Sequence, residues 1–249
     1  YEFQRFPDEY SSWWGIDVLP SINKNCPPFE DFITGNDGVL EKYFKLGAGG
    51  VRLDVVDEIN DGFVEKIAAK AKSFGDDKIV IGEGWEDATN KIAYGTRRKY
   101  FLGDELDSVM NYPLKDAIIG FALSGKAETL YKTVREQIDN YPFHALNSLM
   151  NILGILTGNE LRKLVGKRVD DFALRRRKQI TVLGKRGRLE KERSGMAEEK
   201  LTQTEKRDAI KMLRCCSLLQ FCLYGVPCVY YGDEQMTEGN KDPFNRKFF

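Results

Sequence analysis

Five short apolar runs constrain the fold of this 249-residue chain more than any other feature. They are VRLD (51–54), IVIGE (79–83), SVMNY (108–112), LMNILG (149–154) and VPCVYYGDE (226–234). Each is too short for a stable helix and favours β-branched or bulky residues, which predicts strands. Pro227 stands at the start of the last run, where a missing ladder donor matters least. Between the runs lie segments with helical spacing, at 29–46, 62–74, 115–123, 127–141 and 209–223. Asn60 or Asp61 can cap the second of these. Residues 87–101 read as a polar loop or helix. Strand, loop and helix in alternation predict βαβ units and a parallel sheet. Asp54, Glu83, Asn111, Asp233 and Glu234 all fall at strand C-terminal ends, where parallel α/β barrels carry their chemistry. The expected fold is therefore α/β, part of a (β/α)8 TIM barrel, with a doubly wound sheet as second choice. No Gly-x-Gly-x-x-Gly or phosphate-binding loop follows any strand, so a nucleotide site has little support.

Chemistry concentrates in GGVRLDVVDEI, residues 49–59. It reads as a largely buried strand, on which Arg52 and Asp54 are costly to bury unless they pair or react. Alone, the two also suit a structural ion pair. Glu83 ends the next strand. Neighbouring strands lie about 4.8 Å apart, so the two strand-end carboxylates can meet. Arg52, two residues from Asp54, favours a charged carboxylate there. Glu83 has Gly82, Gly84 and Trp85 beside it and no adjacent cation, which suits an acid. A charged carboxylate beside a protonated one, about 5–5.5 Å apart, is what a retaining glycosidase requires. The aromatics of residues 1–28 suit sugar stacking and equally suit a loop packed on a barrel rim.

Composition narrows the alternatives. Lys+Arg and Asp+Glu both number 38, so no overall field points to nucleic acid or membrane. The segment 162–193 is an exception, with 13 basic residues against 4 acidic ones. It reads first as a solvated surface loop. As a nucleic-acid contact it is poor, offering Phe172 alone for stacking. Cys26, Cys215, Cys216, Cys222 and Cys228 have neither disulfide-framework nor zinc spacing, so reduced, buried thiols and a cytoplasmic setting are expected. No apolar run reaches the roughly 18 residues of a membrane span. No signal peptide opens the chain, although residue 1 is Tyr and an export signal could precede it.

Four stretches together resemble the alpha-amylase superfamily of glycoside hydrolases, in its neopullulanase, cyclomaltodextrinase and maltogenic-amylase branch. GVRLDVVDEI (50–59) resembles the fourth-strand motif and IGEGWEDA (81–88) the fifth-strand motif. WWGIDVLPSIN (13–23) resembles a short motif of this branch. VPCVYYGDE (226–234) with DPFNR (242–246) resembles the eighth strand and its loop. The resemblance covers about 1–154 and 181–249. It implies a retaining alpha-glucan hydrolase acting on malto-oligosaccharides, cyclodextrins or pullulan. Asp54 would be the nucleophile and Glu83 the general acid/base. Arg52 would pair with the nucleophile, Trp85 would line the sugar subsites, and Glu58 and Asp57 would lie on the substrate side. Calcium occurs in the family, but no ligand set is identifiable in these residues, so no cofactor is expected. The expected partner is an alpha-glucan oligosaccharide, and the branch often dimerises through an N-terminal domain.

The chain also departs from the family pattern. A third carboxylate is expected in a His-Asp dipeptide after LMNILG, yet 155–180 contains none and the single histidine is His144. Asp170 and Asp171 are poor substitutes, deep in the basic stretch. The expected organisation is one partial catalytic (β/α)8 barrel domain over 1–249, matching strands four to eight, with an atypical basic insertion at about 155–180. Loss of such a transition-state contact costs some 10²–10³ in rate, so impaired turnover is expected. The alternative is a non-catalytic, carbohydrate-binding remnant of the same scaffold.

Overall fold

A computed structural model describes residues 10–16, 18–154 and 203–235. The basic segment, Asp170, Asp171 and the DPFNR motif lie outside the described residues. The chain divides into two compact units, Tyr1–Val109 and Met110–Phe249.

In the first unit, helices α1 (Pro27–Thr34) and α2 (Val39–Lys45) occupy the segment expected to be one helix. Gly35 and Gly38 flank the break. A Cβ at Gly35 would collide with Asp31, and Asp37 between them is left-handed, with φ 58°. Periodicity persisted across a turn the backbone could not continue through. Strand β1 (Gly50–Leu53) follows, then helix α3 (Asp61–Lys72). Asn60 caps α3, its Oδ1 accepting from Phe63 N at 2.8 Å. Strand β2 (Ile79–Gly82) pairs in parallel with β1 and with β5 (Ser108–Val109), in the order β1-β2-β5. Gly50 is required by this pairing, because a Cβ there would run into Ile79. Phe63, Val64, Ile67 and Ala71 of α3 are buried with Val80 of β2 and Phe44 of α2. The region expected to be a loop or helix contains a small antiparallel hairpin, β3 (Ile92–Ala93) and β4 (Thr96–Arg97). Its turn residues, Tyr94 (φ 53°) and Gly95 (φ 77°), are both left-handed, as tight hairpin turns demand.

The second unit holds α4 (Tyr112–Ser124), α5 (Glu128–Asn140), α6 (Phe143–Ser148), β6 (Met150–Ile152), α7 (Gln203–Cys222) and β7 (Val226–Cys228). Strands β6 and β7 pair in parallel, with Asn151 opposite Pro227. Leu114, Ile118, Leu130, Leu153, Leu213 and Cys216 form the apolar core between the helices. The five cysteines form no disulfide, and only Cys216 is buried; Cys215 and Cys222 are exposed and Cys26 and Cys228 half-buried, which corrects the expectation of buried thiols.

Buried amides tie this unit together. Asn111, also the cap of α4, donates to Asn151 Oδ1 at 2.9 Å and accepts from Gln137 of α5 at 2.6 Å. Asn151 donates to the Tyr224 carbonyl at 2.7 Å. Gln220 of α7 donates to the carbonyls of Asn151 and Cys228, both at 2.9 Å. Each of these amides finds a partner in another side-chain amide or in a backbone carbonyl, which is the condition for burying them at all. Asn111 therefore belongs to this network rather than to a row of strand-end reactive groups.

Glu105 is different. It is only 3% exposed, and neither carboxyl oxygen has a hydrogen-bond partner among the described residues. Burial, then the negative charge of Asp61, pushes its pKa up to about 7, with Arg98 opposing.

Two outcomes follow for stability. Asn151→Ala strands the Asn111 amide and the Tyr224 carbonyl, and is expected to cost about 3 kcal/mol in urea unfolding. A loss below about 0.5 kcal/mol would show that the network is not needed. Glu105 has a folded pKa above its unfolded value near 4.5. The folded state thus binds the extra proton, and stability falls as pH rises from about 4.5 to about 7. Glu105→Gln should flatten that part of the stability–pH curve, measured by thermal unfolding at pH 5, 6, 7 and 8. An unchanged slope would place the titration elsewhere.

Candidate active site

The site is built on the register of β1 and β2. Leu53 lies opposite Gly82, so Asp54 and Glu83 leave their strands side by side. Glu83 N donates to Leu53 O at 2.9 Å, and Val56 N donates to Glu83 O at 3.2 Å. The ladder thus continues one step beyond both strands and fixes the carboxylate-bearing residues. Gly82 has no Cβ because Val56 and Leu106 fill that space.

Arg52 joins the two acids. Its Nη1 donates to Asp54 Oδ1, and its Nη2 lies 3.1 Å from Glu83 Oε2. This corrects the expectation that Glu83 has no cation beside it. Sequence adjacency showed only glycines and Trp85, whereas strand pairing delivers Arg52 from β1. Glu83 is enclosed, its side chain 10% exposed, while that of Asp54 is 77% exposed. The strand is also less buried than its apolar pattern suggested, because Arg52 and Asp54 face an open side. Their pairing is therefore no buried ion pair. Glu83 receives two more donors, Val55 N at 3.0 Å and Trp85 Nε1 at 3.3 Å. A charged guanidinium, a backbone N–H and an indole N–H converge on one enclosed carboxyl group, with a second carboxylate on the same guanidinium.

Val55 was not legible as part of this arrangement. It sits at φ 44°, ψ 59°, a left-handed conformation that a β-branched residue rarely takes. That twist turns its N–H toward Glu83 and starts the 3-10 turn Val56–Glu58. Strain of this kind costs about 1–3 kcal/mol and gathers at functional sites.

Of the expected site residues, Arg52, Asp54, Glu83 and Trp85 come together. Glu58 serves a second cluster. Its Oε1 accepts from Trp14 Nε1 at 3.3 Å and from the Tyr94 hydroxyl, and its Oε2 lies 3.6 Å from Lys24 Nζ. Asp57 turns the other way. It accepts from the Tyr100 hydroxyl at 2.6 Å and pairs with Lys91 at 3.0 Å. Arg98 donates to the carbonyl of Ile59 and lies 3.1 Å from Asp61. Segment 91–100 therefore braces the turn after β1 from outside. Among the described residues no group of three or more His, Cys, Asp and Glu could hold a metal ion. None of the described helices is long and apolar enough to cross a membrane. Asp233 and Glu234, expected at a strand end, lie in a turn beyond β7, which stops at Cys228. Asp233 lies against Gly154, where a Cβ would collide with it, and Glu234 accepts from Gly232 N at 3.0 Å.

No family model matches the chain. Curated relatives do. An amylopullulanase of Thermoanaerobacter thermohydrosulfuricus is 29% identical over 265 residues, covering 96% of this chain and 16% of its own length. A cyclomaltodextrinase of a Bacillus species is 25% identical over 233 residues, covering 92% of this chain and 32% of its own. The chain thus spans a third or less of the length of these relatives. Among solved structures, the ligand-free cyclic alpha-maltosyl-(1→6)-maltose hydrolase of Arthrobacter globiformis superposes with a TM-score of 0.69 at 24% identity, covering 98% of this chain and 44% of that one. The fold is that of these enzymes, and the relatives bear out the resemblance carried by the motifs.

The strain at Val55 gives a direct test. Asn tolerates the left-handed conformation, so Val55→Asn should raise unfolding free energy by about 1 kcal/mol. The measurement is the urea midpoint at constant slope. A lower midpoint would mean that Val55 packing outweighs the strain.

Proposed function

With the chain related to the neopullulanase, cyclomaltodextrinase and maltogenic-amylase branch of the alpha-amylase superfamily, we propose that it is part of a retaining alpha-glucan hydrolase acting on malto-oligosaccharides, cyclodextrins or pullulan. In this reading Asp54 attacks the anomeric carbon and Glu83 protonates the departing glycosidic oxygen. Water, deprotonated by Glu83, then releases the sugar from Asp54. Arg52 orients both carboxylates. Trp85 stacks on substrate beside Glu83. In the same reading, strands β1, β2, β5, β6 and β7 correspond to the fourth to eighth strands of the family barrel. The observation that carries the proposal is the single guanidinium shared by the exposed Asp54 and the enclosed Glu83. An open carboxylate beside an enclosed one on the same cation supports Asp54 as the nucleophile and Glu83 as the acid/base in this reading.

One observation favours a second reading, a glucan-binding chain without turnover. Residues 155–180 contain no His-Asp dipeptide to supply the third carboxylate. Release of reducing sugar from cyclodextrin and maltodextrin by the 249-residue chain separates the two. The hydrolase reading expects release, and a drop of at least about 10³ in rate for Asp54→Asn and for Glu83→Gln. Release that survives either substitution would remove that residue from its role. No release from the unaltered chain would leave the binding reading.

A further inference from the structure

Glu58 was expected to face substrate, yet it holds two aromatic rings. Trp14 and Tyr94 come from opposite sides of it in sequence, 44 residues before and 36 after. Both donate to the same oxygen, Oε1. Both remain open to solvent, at 72% and 76% exposure. Exposed aromatic side chains ordinarily keep rotamer freedom, but these two have their polar ends fastened to one carboxylate. The hydrogen bond to Glu58, with burial and the Glu58 charge, pushes the Tyr94 phenol pKa up, so its hydroxyl stays a donor.

The backbone adds an independent sign. Among the described residues four non-glycine positions have positive φ: Trp14, Asp37, Val55 and Tyr94. Three of them serve this end of the first unit: Val55 begins the turn that carries Glu58, and Trp14 and Tyr94 present the rings. Trp14 also stacks on Trp13, with centroids 5.1 Å apart and planes 18° from parallel, which braces one ring against the next. Tyr94 is the tip of the β3–β4 hairpin. A strained backbone, fixed polar ends and exposed rings together describe a pre-organised surface. An indole and a phenol of this kind suit the C–H face of a pyranose, with Lys24 and the rim of Glu58 beside them for hydroxyl groups.

We propose that Trp14 and Tyr94, locked by Glu58, form a stacking subsite for a glucosyl ring of the alpha-glucan beyond the bond held at Asp54 and Glu83. Glu58 is a positioning residue in this site. The inference rests on the hydrolase reading for the identity of the sugar, and it does not need turnover. Glu58 follows Asp54 by four residues, so the subsite belongs to the same strand end as the reacting pair.

The test is calorimetric titration of maltoheptaose into the full chain carrying Asp54→Asn, which cannot consume the ligand in the hydrolase reading. Tyr94→Ala and Trp14→Ala, each added to that background, should weaken binding roughly tenfold. Glu58→Ala should weaken it comparably. Glu58→Gln should retain most of the affinity, because its amide oxygen still accepts from both rings. A purely structural role for Glu58 would instead appear as equal thermal destabilisation with affinity intact. Tyr43→Ala, at an exposed tyrosine of α2, should leave affinity unchanged. The proposal is overturned if Tyr94→Ala and Trp14→Ala both bind like their background with native circular dichroism. It is also overturned if the background itself binds no maltoheptaose. Reducing-sugar release by the unaltered chain is read separately. Binding without release overturns the hydrolase reading and leaves the subsite standing, while release with unaltered affinities does the reverse.

Discussion

The first unit depends on where one guanidinium is placed. Arg52 can reach both carboxylates only because β1 and β2 pair in parallel with Leu53 opposite Gly82. A one-residue slip would turn Arg52 to the other face and separate the acids. Much of the surrounding structure secures that register. Gly50 admits the close approach of Ile79, Gly82 admits Val56, and the ladder runs on through Glu83 N and Val56 N. The two glycines stand at opposite ends of the ladder, Gly50 where it begins and Gly82 directly before Glu83, so close packing is kept along its whole length.

Much of this was legible in the sequence. The places where strands begin, the parallel alternation, the Asn60 cap and the grouping of Arg52, Asp54 and Glu83 follow from short-range pattern and chemistry, and the family resemblance added Trp85. What escaped was set by contacts distant in sequence or by left-handed backbone. Nothing local marks Val55 as a left-handed residue, since its type argues against it. Glu58 looked available because its partners stand 36 and 44 residues away. Glu83 looked uncharged in its surroundings because its cation arrives from another strand. The Tyr94-Gly95 pair was the one local cue to the hairpin, and it lacks the Asn-Gly form that makes such turns easy to read.

Polar residues in and beside the strands have two fates among the described residues. Asp54 and Glu83 converge on a cation at an open edge, whereas Asn111 and Asn151 are fully buried and satisfied by other amides. Residue type decides between them. An amide can be both donor and acceptor and closes a network without charge, so it survives burial at little cost. A carboxylate needs a cation or water, so it stays where one is at hand. Glu105 is the exception, enclosed with no hydrogen-bonding partner among the described residues, and burial raises its pKa.

The hairpin carrying Tyr94 is fastened to the rest of its unit by charge. Lys91 pairs with Asp57 and Glu86, and Arg98 grips Asp61 and the Ile59 carbonyl. Apart from Glu86 these groups are largely enclosed, with side-chain exposures of 16% for Lys91, 22% for Asp57, 7% for Arg98 and 17% for Asp61. Enclosed pairs are screened far less than surface ones. The hairpin is thus moored by charge in a way that a change of ionic strength leaves nearly intact, and the position of the Tyr94 ring inherits that indifference to salt.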